Sequence, residues 1–355
     1  MKTDIVIGLS YGDEGKGKVT HSLLNHFDYT HCIRFNGGCN AGHTIYHEGK
    51  KFVTHHIPAG VFFGVKSIIG NGCVLDPVQF FKEINYLNDN GVYTDGLIYV
   101  AHDTHIITDA HKEEDSKDTK IGTTRTGNGP AYRDKYNRTG FRADAIPVLK
   151  PYLIDVYEEL YLKPFRGFIH DDDKKLKRVW TLCEGAQGFG IDVSWGNYPY
   201  VTSSHCGASG ALLNGISHRS VDRVYGVCKA YDTYVGANKF EPDIKTMKYL
   251  QELGKEYGAT TGRRRQVNYL DLDFILKSCL INGVTDLIIN KVDVLRMCEK
   301  EYEDSNPWCV LIDNFTESRI YNLGSEKKWK SFISKFFNGY IPDIQITFSE
   351  SPHHI

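Results

Sequence analysis

The sequence predicts an α/β chain: a large, mainly parallel sheet flanked by helices, with a phosphate-binding loop similar to a P-loop and with inserted loops. Three observations predict it. First, the apolar run TDIVIGL at 3–9 enters a glycine-rich turn and then a helical stretch over 16–27, the opening of a doubly wound fold. Second, strand-like runs recur at 67–75, 96–101, 179–185, 223–231 and 286–295, and helical patterns lie near 76–90, 146–161, 245–257 and 271–282. Strands alternating with helices pair in parallel. Third, no repeat or long low-complexity linker divides the 355 residues, so 1–355 reads as one domain.

Composition excludes several classes. With 41% hydrophobic and 24% charged residues the chain is neither disordered nor fibrous. A net charge of −2 gives no bulk reason to bind nucleic acid or an anionic membrane. No apolar run approaches the ~18 residues of a membrane span, and MKTDIVIG lacks the apolar stretch of a signal peptide. Nine cysteines without a CxxC pair predict free thiols in a reducing cytoplasm. The polar stretches 111–120 and 171–177 read as solvated loops or helix starts.

Six segments carry chemistry. GDEGKGK at 12–18 follows the first strand, where glycine N–H groups and a helix start suit phosphate. It is not a Walker A loop: Ser10 stands where that motif has glycine, and Gly17 follows Lys16 where Ser or Thr would hold a metal. Asp13 is therefore the nearby candidate for metal or proton. The second segment, 35–44, sets Asn40 and His43 in a glycine loop after HCIRF, with His43 a candidate acid against a developing oxyanion or phosphate. In the third, 121–132, Thr123 and Thr124 suit another phosphate, against a plain loop as the alternative. The fourth joins EGAQG at 184–188, with Gln187, to YPYVTSS at 198–204, with Thr202. In the fifth, GATTGRRR at 258–265, three adjacent arginines are costly to gather unless anions sit there, although a solvated basic turn has the same composition. The sixth, Asn290-Lys291-Val292-Asp293, closes an apolar strand. A carboxylate there can accept from N1–H and the 2-amino group of guanine, and a lysine stem can lie along the base.

In this order, across residues 1 to about 300, the segments resemble the adenylosuccinate synthetase family, and the compact length is similar to its archaeal type and phage relatives. The resemblance implies a homodimer with a large, mainly parallel sheet. It also implies a ligase that couples L-aspartate to C6 of a purine nucleoside monophosphate through a 6-phosphoryl intermediate, using GTP and Mg2+. By that resemblance Asp13 takes the N1 proton and contacts the metal, which the Gly42 carbonyl also holds, while His43 and Lys16 assist phosphoryl transfer. Gly12, Glu14, Gly15, Lys16, Gly17, Lys18, Gly42, Thr44 and Arg265 match GTP contacts, and Asn290, Lys291 and Asp293 the guanine reader. Asp13, Asn40, Thr123, Thr124, Gln187, Thr202, Val235 and Arg263 match contacts of the acceptor nucleotide, and Arg138 the arginine given across the dimer to the other protomer's 5′-phosphate. Thr260, Thr261, Gly262, Arg263 and Arg265 match the loop that closes on aspartate.

Departures from the family pattern bear on the acceptor. Tyr234 stands where the family loop has arginine, the following stretch is rewritten through Asp243, and the arginine run ends in Gln266. Phage relatives that act on dGMP often carry serine at position 13 and use ATP, whereas this chain keeps Asp13 and NKVD. The sequence therefore predicts GTP as donor and favours dGMP as acceptor, giving 2-amino-deoxyadenylosuccinate, a diaminopurine DNA precursor, in a cytoplasm (a host's, if phage-encoded). IMP giving adenylosuccinate is the alternative. A GTP-binding switch is more distant, because it has no use for His43 and the arginine run. An inactive homologue is disfavoured by the presence of Asp13, Lys16, His43 and Arg263.

Overall fold

In the computed structural model, which describes residues 1–119, 122–170, 178–258, 262–313 and 318–351, nine parallel strands form one sheet. Their order across it is Gln345–Phe348, Asp286–Asn290, Val221–Lys229, Lys2–Gly8, Trp180–Glu184, His31–Arg34, Lys66–Ile69, Ile98–Ala101 and Leu153–Ile154. Strand residues alternate between two apolar layers, as the two-residue pleat requires. Ile5, Ile7, Ile33, Ile68 and Cys183 enter one, and Val6, Cys32, Ile69, Leu182 and Ile288 the other. Burial on both faces is why these strands read as continuous apolar runs.

The strand Lys2–Gly8 lies between Trp180–Glu184 and Val221–Lys229, so chain order reverses beside it. The crevice at the carboxyl ends of such strands is where open α/β sheets bind ligands. The loops after Gly8, Arg34, Glu184, Lys229 and Asn290 all leave from that edge, and four of them carry motif segments.

Local departures have visible causes. The run 286–295 is a strand only to Asn290: Lys291 turns left-handed (φ 68°) and caps the helix Val292–Glu301, so NKVD straddles the junction. Within 146–161 a continuous helix is broken into a 3-10 turn Pro147–Tyr152, an edge strand and a π-helical turn Glu158–Leu162, as Pro147 and Pro151 require. The polar stretch from 111 is largely the helix Asp109–Ser116, closed by a Thr108/His111 capping box. The stretch 171–177 lies outside the described residues. A second sheet, Tyr231–Tyr234, Gln266–Asp271, Cys309–Asp313 and Ser318–Asn322, has no counterpart in the sequence reading. All nine cysteines are buried and free, and among the described residues no helix is long and apolar enough to cross a membrane.

Candidate active site

A cleft of about 640 Å³ opens above the carboxyl edge of the sheet, within the size range of small-ligand sites. Gly12, Asp13, Gly15, Lys16 and Gly17 line it from the first loop, and Asn40, Gly42, His43 and Thr44 from the second. Thr123, Thr124, Gln187 and Thr202 line it from the third and fourth segments, with Val235, Arg263 and Arg265 opposite.

The first loop is shaped around a buried carboxylate. Glu14 points inward, accepting from the Gly12 N–H at 2.8 Å and from Lys16 Nζ at 2.6 Å. A Cβ at Gly8 or Gly188 would come within 2.4 Å of that carboxylate, so both glycines are space for it. Glu14 thus acts on the cleft through the loop backbone rather than with its side chain. Lys16, itself buried, also donates to the Gln187 carbonyl. Gly12 (φ 97°) and Gly15 (φ 93°) take left-handed conformations that a side chain resists, and Gly15 caps the helix Lys16–His26, whose N-terminus faces the cleft with positive potential.

His43 starts the strand His43–His47 and is backed by Arg34 and Glu184. Arg34 NH2 lies 2.7 Å from Glu184 Oε1, which also meets His43 Nδ1, and the Ala59 N–H donates to Glu184 Oε2 at 2.9 Å. Burial opposes charge on Glu184, but Arg34, His43 and that N–H hold its carboxyl down at about 2. Burial, reinforced by Arg34, lowers His43 to about 4 despite Glu184. His43 is therefore a neutral imidazole near pH 7. Arg34 NH2 is also 3.1 Å from Nδ1, but a guanidinium only donates. The closer Glu184 contact assigns the ring proton to Nδ1 and leaves Nε2 for the cleft.

Across the cleft, residues 256–258 run antiparallel to 263–265. Arg265 N–H donates to the Glu256 carbonyl at 3.0 Å, and Gly258 N–H to the Arg263 carbonyl at 2.8 Å. Arg265 Nε donates to Asp13 Oδ2 at 2.8 Å, while its NH1 donates to Glu256 Oε2 at 2.6 Å. Arg263 clasps the threonine loop, donating to the Gly122 carbonyl at 2.9 Å and the Thr123 carbonyl at 3.3 Å. Gly262 lies beyond the cleft lining, and Thr260 and Thr261 lie outside the described residues. On the far wall Asn40 Oδ1 accepts from Gln187 Nε2 at 3.0 Å.

The NKVD segment sits behind the first loop rather than in the cleft lining. Asn290 Nδ2 grips the Glu14 carbonyl at 2.8 Å, and Lys291 Nζ donates to the Gly254 carbonyl at 2.8 Å. Lys18 points the same way, donating to Ser349 Oγ at 2.6 Å and the Ser351 carbonyl at 3.0 Å. Burial lowers its ammonium to about 8 against the pull of Asp293. Arg138 is exposed after the helix Asn128–Asn137, in a left-handed turn outside this cleft. Sequence reasoning did not single out Arg34, Lys229, Glu256 or the Ser349–Ser351 stretch. Glu184 appeared only as part of EGAQG, with no partner for His43.

Among the described residues no group of three or more His, Cys, Asp or Glu is set to hold a metal alone. The Asp13 carboxylate, about a third exposed in the cleft, and the Gly42 backbone are hard oxygen donors. Such a sparse set fits Mg2+, which is held through one or two carboxylates together with substrate phosphates.

The sequence model of the family described as adenylosuccinate synthetase matches residues 5–161 and 148–301. The adenylosuccinate synthetase of Thermodesulfovibrio yellowstonii is 38% identical over 341 residues, spanning 84% of this chain and 79% of that one. That of Phocaeicola vulgatus is 40% identical over 334 residues, spanning 83% and 78%. Fully ligated adenylosuccinate synthetase from Plasmodium falciparum superposes with a TM-score of 0.79 at 25% identity, over 99% of this chain and 98% of the other. Cyanophage S-2L succinoaminodeoxyadenylate synthetase, bound to dGMP and dATP, superposes with a TM-score of 0.70 over 94% and 99%, but at 19% identity, a likeness of fold alone.

Proposed function

Because the chain belongs to the adenylosuccinate synthetase family, and so is a ligase that joins aspartate to a purine nucleotide through a C–N bond, we propose that its acceptor is IMP, its phosphate donor GTP and its product adenylosuccinate. The observation that carries the site assignment is the convergence of Asp13, Lys16, His43 and Arg265 on one cleft, with Asn290 tying the guanine-reading segment to the phosphate loop.

Asp13 takes the N1 proton of the acceptor. The resulting O6 oxyanion attacks the γ-phosphorus of GTP and GDP leaves; the amine of aspartate then adds at C6 and the 6-phosphoryl group departs as phosphate. Loss of hydroxide from C6 is very unfavourable, and phosphorylation makes the oxygen a good leaving group. Lys16 and the loop N–H groups receive charge as it develops on the transferring group. His43 meets that group through Nε2, with Glu184 behind it to stabilise a proton gained there. Asp13 and the Gly42 carbonyl would hold Mg2+, which when bound neutralises phosphate charge. Arg263 and Arg265 receive the aspartate carboxylates. Arg138, exposed outside its own cleft, supports a homodimer in which it serves the other protomer's nucleotide.

Identities of 38% and 40% to adenylosuccinate synthetases support IMP over the dGMP that Tyr234 and the stretch through Asp243 suggested. Tyr234 lines the cleft, but its ring is largely occupied in packing on Tyr11 and Phe240, with centroids 5.8 and 5.6 Å away. Incubation with GTP, Mg2+ and aspartate plus IMP, dIMP, GMP or dGMP, with products weighed by mass spectrometry, tests the choice. Adenylosuccinate from IMP is expected; a dGMP product with none from IMP would overturn it.

A further inference from the structure

Glu256 has no part in the steps above, yet the cationic groups around the site converge on it. It is fully buried at the base of the arginine hairpin. Oε2 accepts from Lys229 Nζ at 3.0 Å and from Arg265 NH1 at 2.6 Å; Oε1 accepts from the Tyr231 hydroxyl at 2.7 Å and has Lys291 Nζ at 3.8 Å. These partners come from the end of the strand Val221–Lys229, the start of the second sheet, the other side of the hairpin and the helix cap of the guanine-reading segment. Lys229 is buried as well, and its ammonium also donates to Thr233 Oγ1 at 2.7 Å. Burying such charges costs more than a packed apolar pair would, so stability alone is a poor reason for the arrangement.

The geometry supplies a better one. A guanidinium is a rigid planar fork, so fixing one edge fixes the aim of the other. Glu256 holds Arg265 by NH1, and the opposite edge, through Nε and NH2, meets Asp13 Oδ2 at 2.8 Å. We propose that Glu256 is a positioning residue: it aims Arg265 across the cleft at Asp13 and the aspartate substrate, and through Lys291 it ties that aim to the guanine-reading segment. The kinetic part rests on the function proposed above; the aim of Arg265 does not.

Glu256→Gln keeps the shape and removes the charge. With Arg265 loosened, KM for aspartate rises and kcat falls, each by about tenfold or more, while KM for IMP and GTP moves by less than about threefold. The same variant leaves Lys229 buried beside a neutral amide, so Tm falls too. The double variant Lys229→Met/Glu256→Gln removes that orphaned charge and recovers Tm without recovering KM for aspartate. Lys229→Met alone, in which Glu256 still holds Arg265, keeps KM for aspartate near the wild-type value. Recovery of KM together with Tm in the double variant would reduce Glu256 to a structural role.

A second readout is independent of turnover. In the wild-type protein the Arg265 Nε proton, assigned by its loss in Arg265→Lys, is expected to exchange slowly with water by NMR, and to exchange fast in Glu256→Gln. Unchanged protection in Glu256→Gln overturns the proposal. Absence of aspartate-dependent phosphate release from the wild-type enzyme overturns the functional reading instead, while the exchange measurement still decides for or against Glu256.

Discussion

Two arginine–carboxylate arrangements face the same cleft, wired in opposite order. On one side the carboxylate is central: Glu184 meets both Arg34 and His43. On the other the guanidinium is central: Arg265 meets both Glu256 and Asp13. In each, the group nearest the cleft is backed by the opposite charge, an anion behind the imidazole that would gain a proton and a cation behind a working carboxylate. Their scaffolds differ as well. Arg34 and Glu184 are registered partners on adjacent parallel strands, so sheet pairing alone sets them side by side. Glu256 and Arg265 sit at the neck of a hairpin and reach over to a loop, so side-chain charge has to do what strand pairing does opposite.

The largest expected effect is at the tip of the second arrangement. Asp13→Ala should abolish product formation while far-UV circular dichroism stays unchanged, since a lost general base typically costs about 10²–10⁴. More than a few per cent of residual activity would remove Asp13 from that role. Next comes the centre of the first arrangement. Glu184→Gln leaves Arg34 buried without its counter-charge, which should cost on the order of 3–5 kcal/mol of stability, read as a drop in the urea midpoint. Activity per folded molecule should fall too, since His43 loses the anion behind it. A fully stable, fully active Glu184→Gln would show that the strand register, not the charge, orders the site.

Much of one side was legible in the sequence and little of the other. Glycine loops following strand ends are local patterns, so GDEGKGK, the His43 loop and EGAQG could be placed together before any contact was known. Arg34 could not: it is one residue inside an apolar strand, and only its pairing with Glu184, 150 residues away, gives it a task. Glu256 and Lys229 are similar, since a single charged residue beside a motif has no periodicity to betray it. The second sheet was hidden for a related reason. Its strands are short, and two of its three pairings join stretches far apart in the chain, with only Cys309–Asp313 and Ser318–Asn322 close in sequence. The run 286–295 misled because apolar residues continue from the strand into the helix past Lys291, where only a left-handed turn marks the change.

A smaller effect separates the phosphate end from the base end of the donor site. Asp293 stands in the first turn of the helix Val292–Glu301, close enough to Lys18 to raise its affinity for protons. If it accepts from guanine N1–H and the 2-amino group, adenine leaves it unpaired at a cost of about 1–3 kcal/mol. GTP should then outperform ATP in kcat/KM by about fivefold or more, and Asp293→Asn should narrow that gap while leaving KM for aspartate alone. Equal turnover of GTP and ATP by the wild-type enzyme would remove the guanine-reading role.

The smallest expected effect is a difference in acid sensitivity between the two arrangements. Burial holds His43 near 4, below its ordinary 6.5, and likewise His21 near 4 and His56 near 3. At these histidines the unfolded chain binds protons between pH 6.5 and about 4 that the folded chain refuses, so their contribution to stability falls as pH drops through that window. Glu256 behaves differently. Burial raises it, but Lys229, Lys291 and Arg265 hold it down at about 2; its contribution is complete above pH 4.5 and is lost only as pH falls from there toward 2. The Glu184 side should therefore start to weaken at a pH where the Glu256 side is still intact. In His43→Asn the fall of Tm from pH 6.5 to 4.5 should be shallower than in the wild type, because one of the refused protons is gone. In Glu256→Gln the slope over the same window should be unchanged, though the whole curve lies lower. A His43→Asn slope equal to the wild-type slope would place the acid-sensitive step at the other histidines that burial lowers, His21, His31, His56 or His105, and leave the two sides of the cleft indistinguishable by pH.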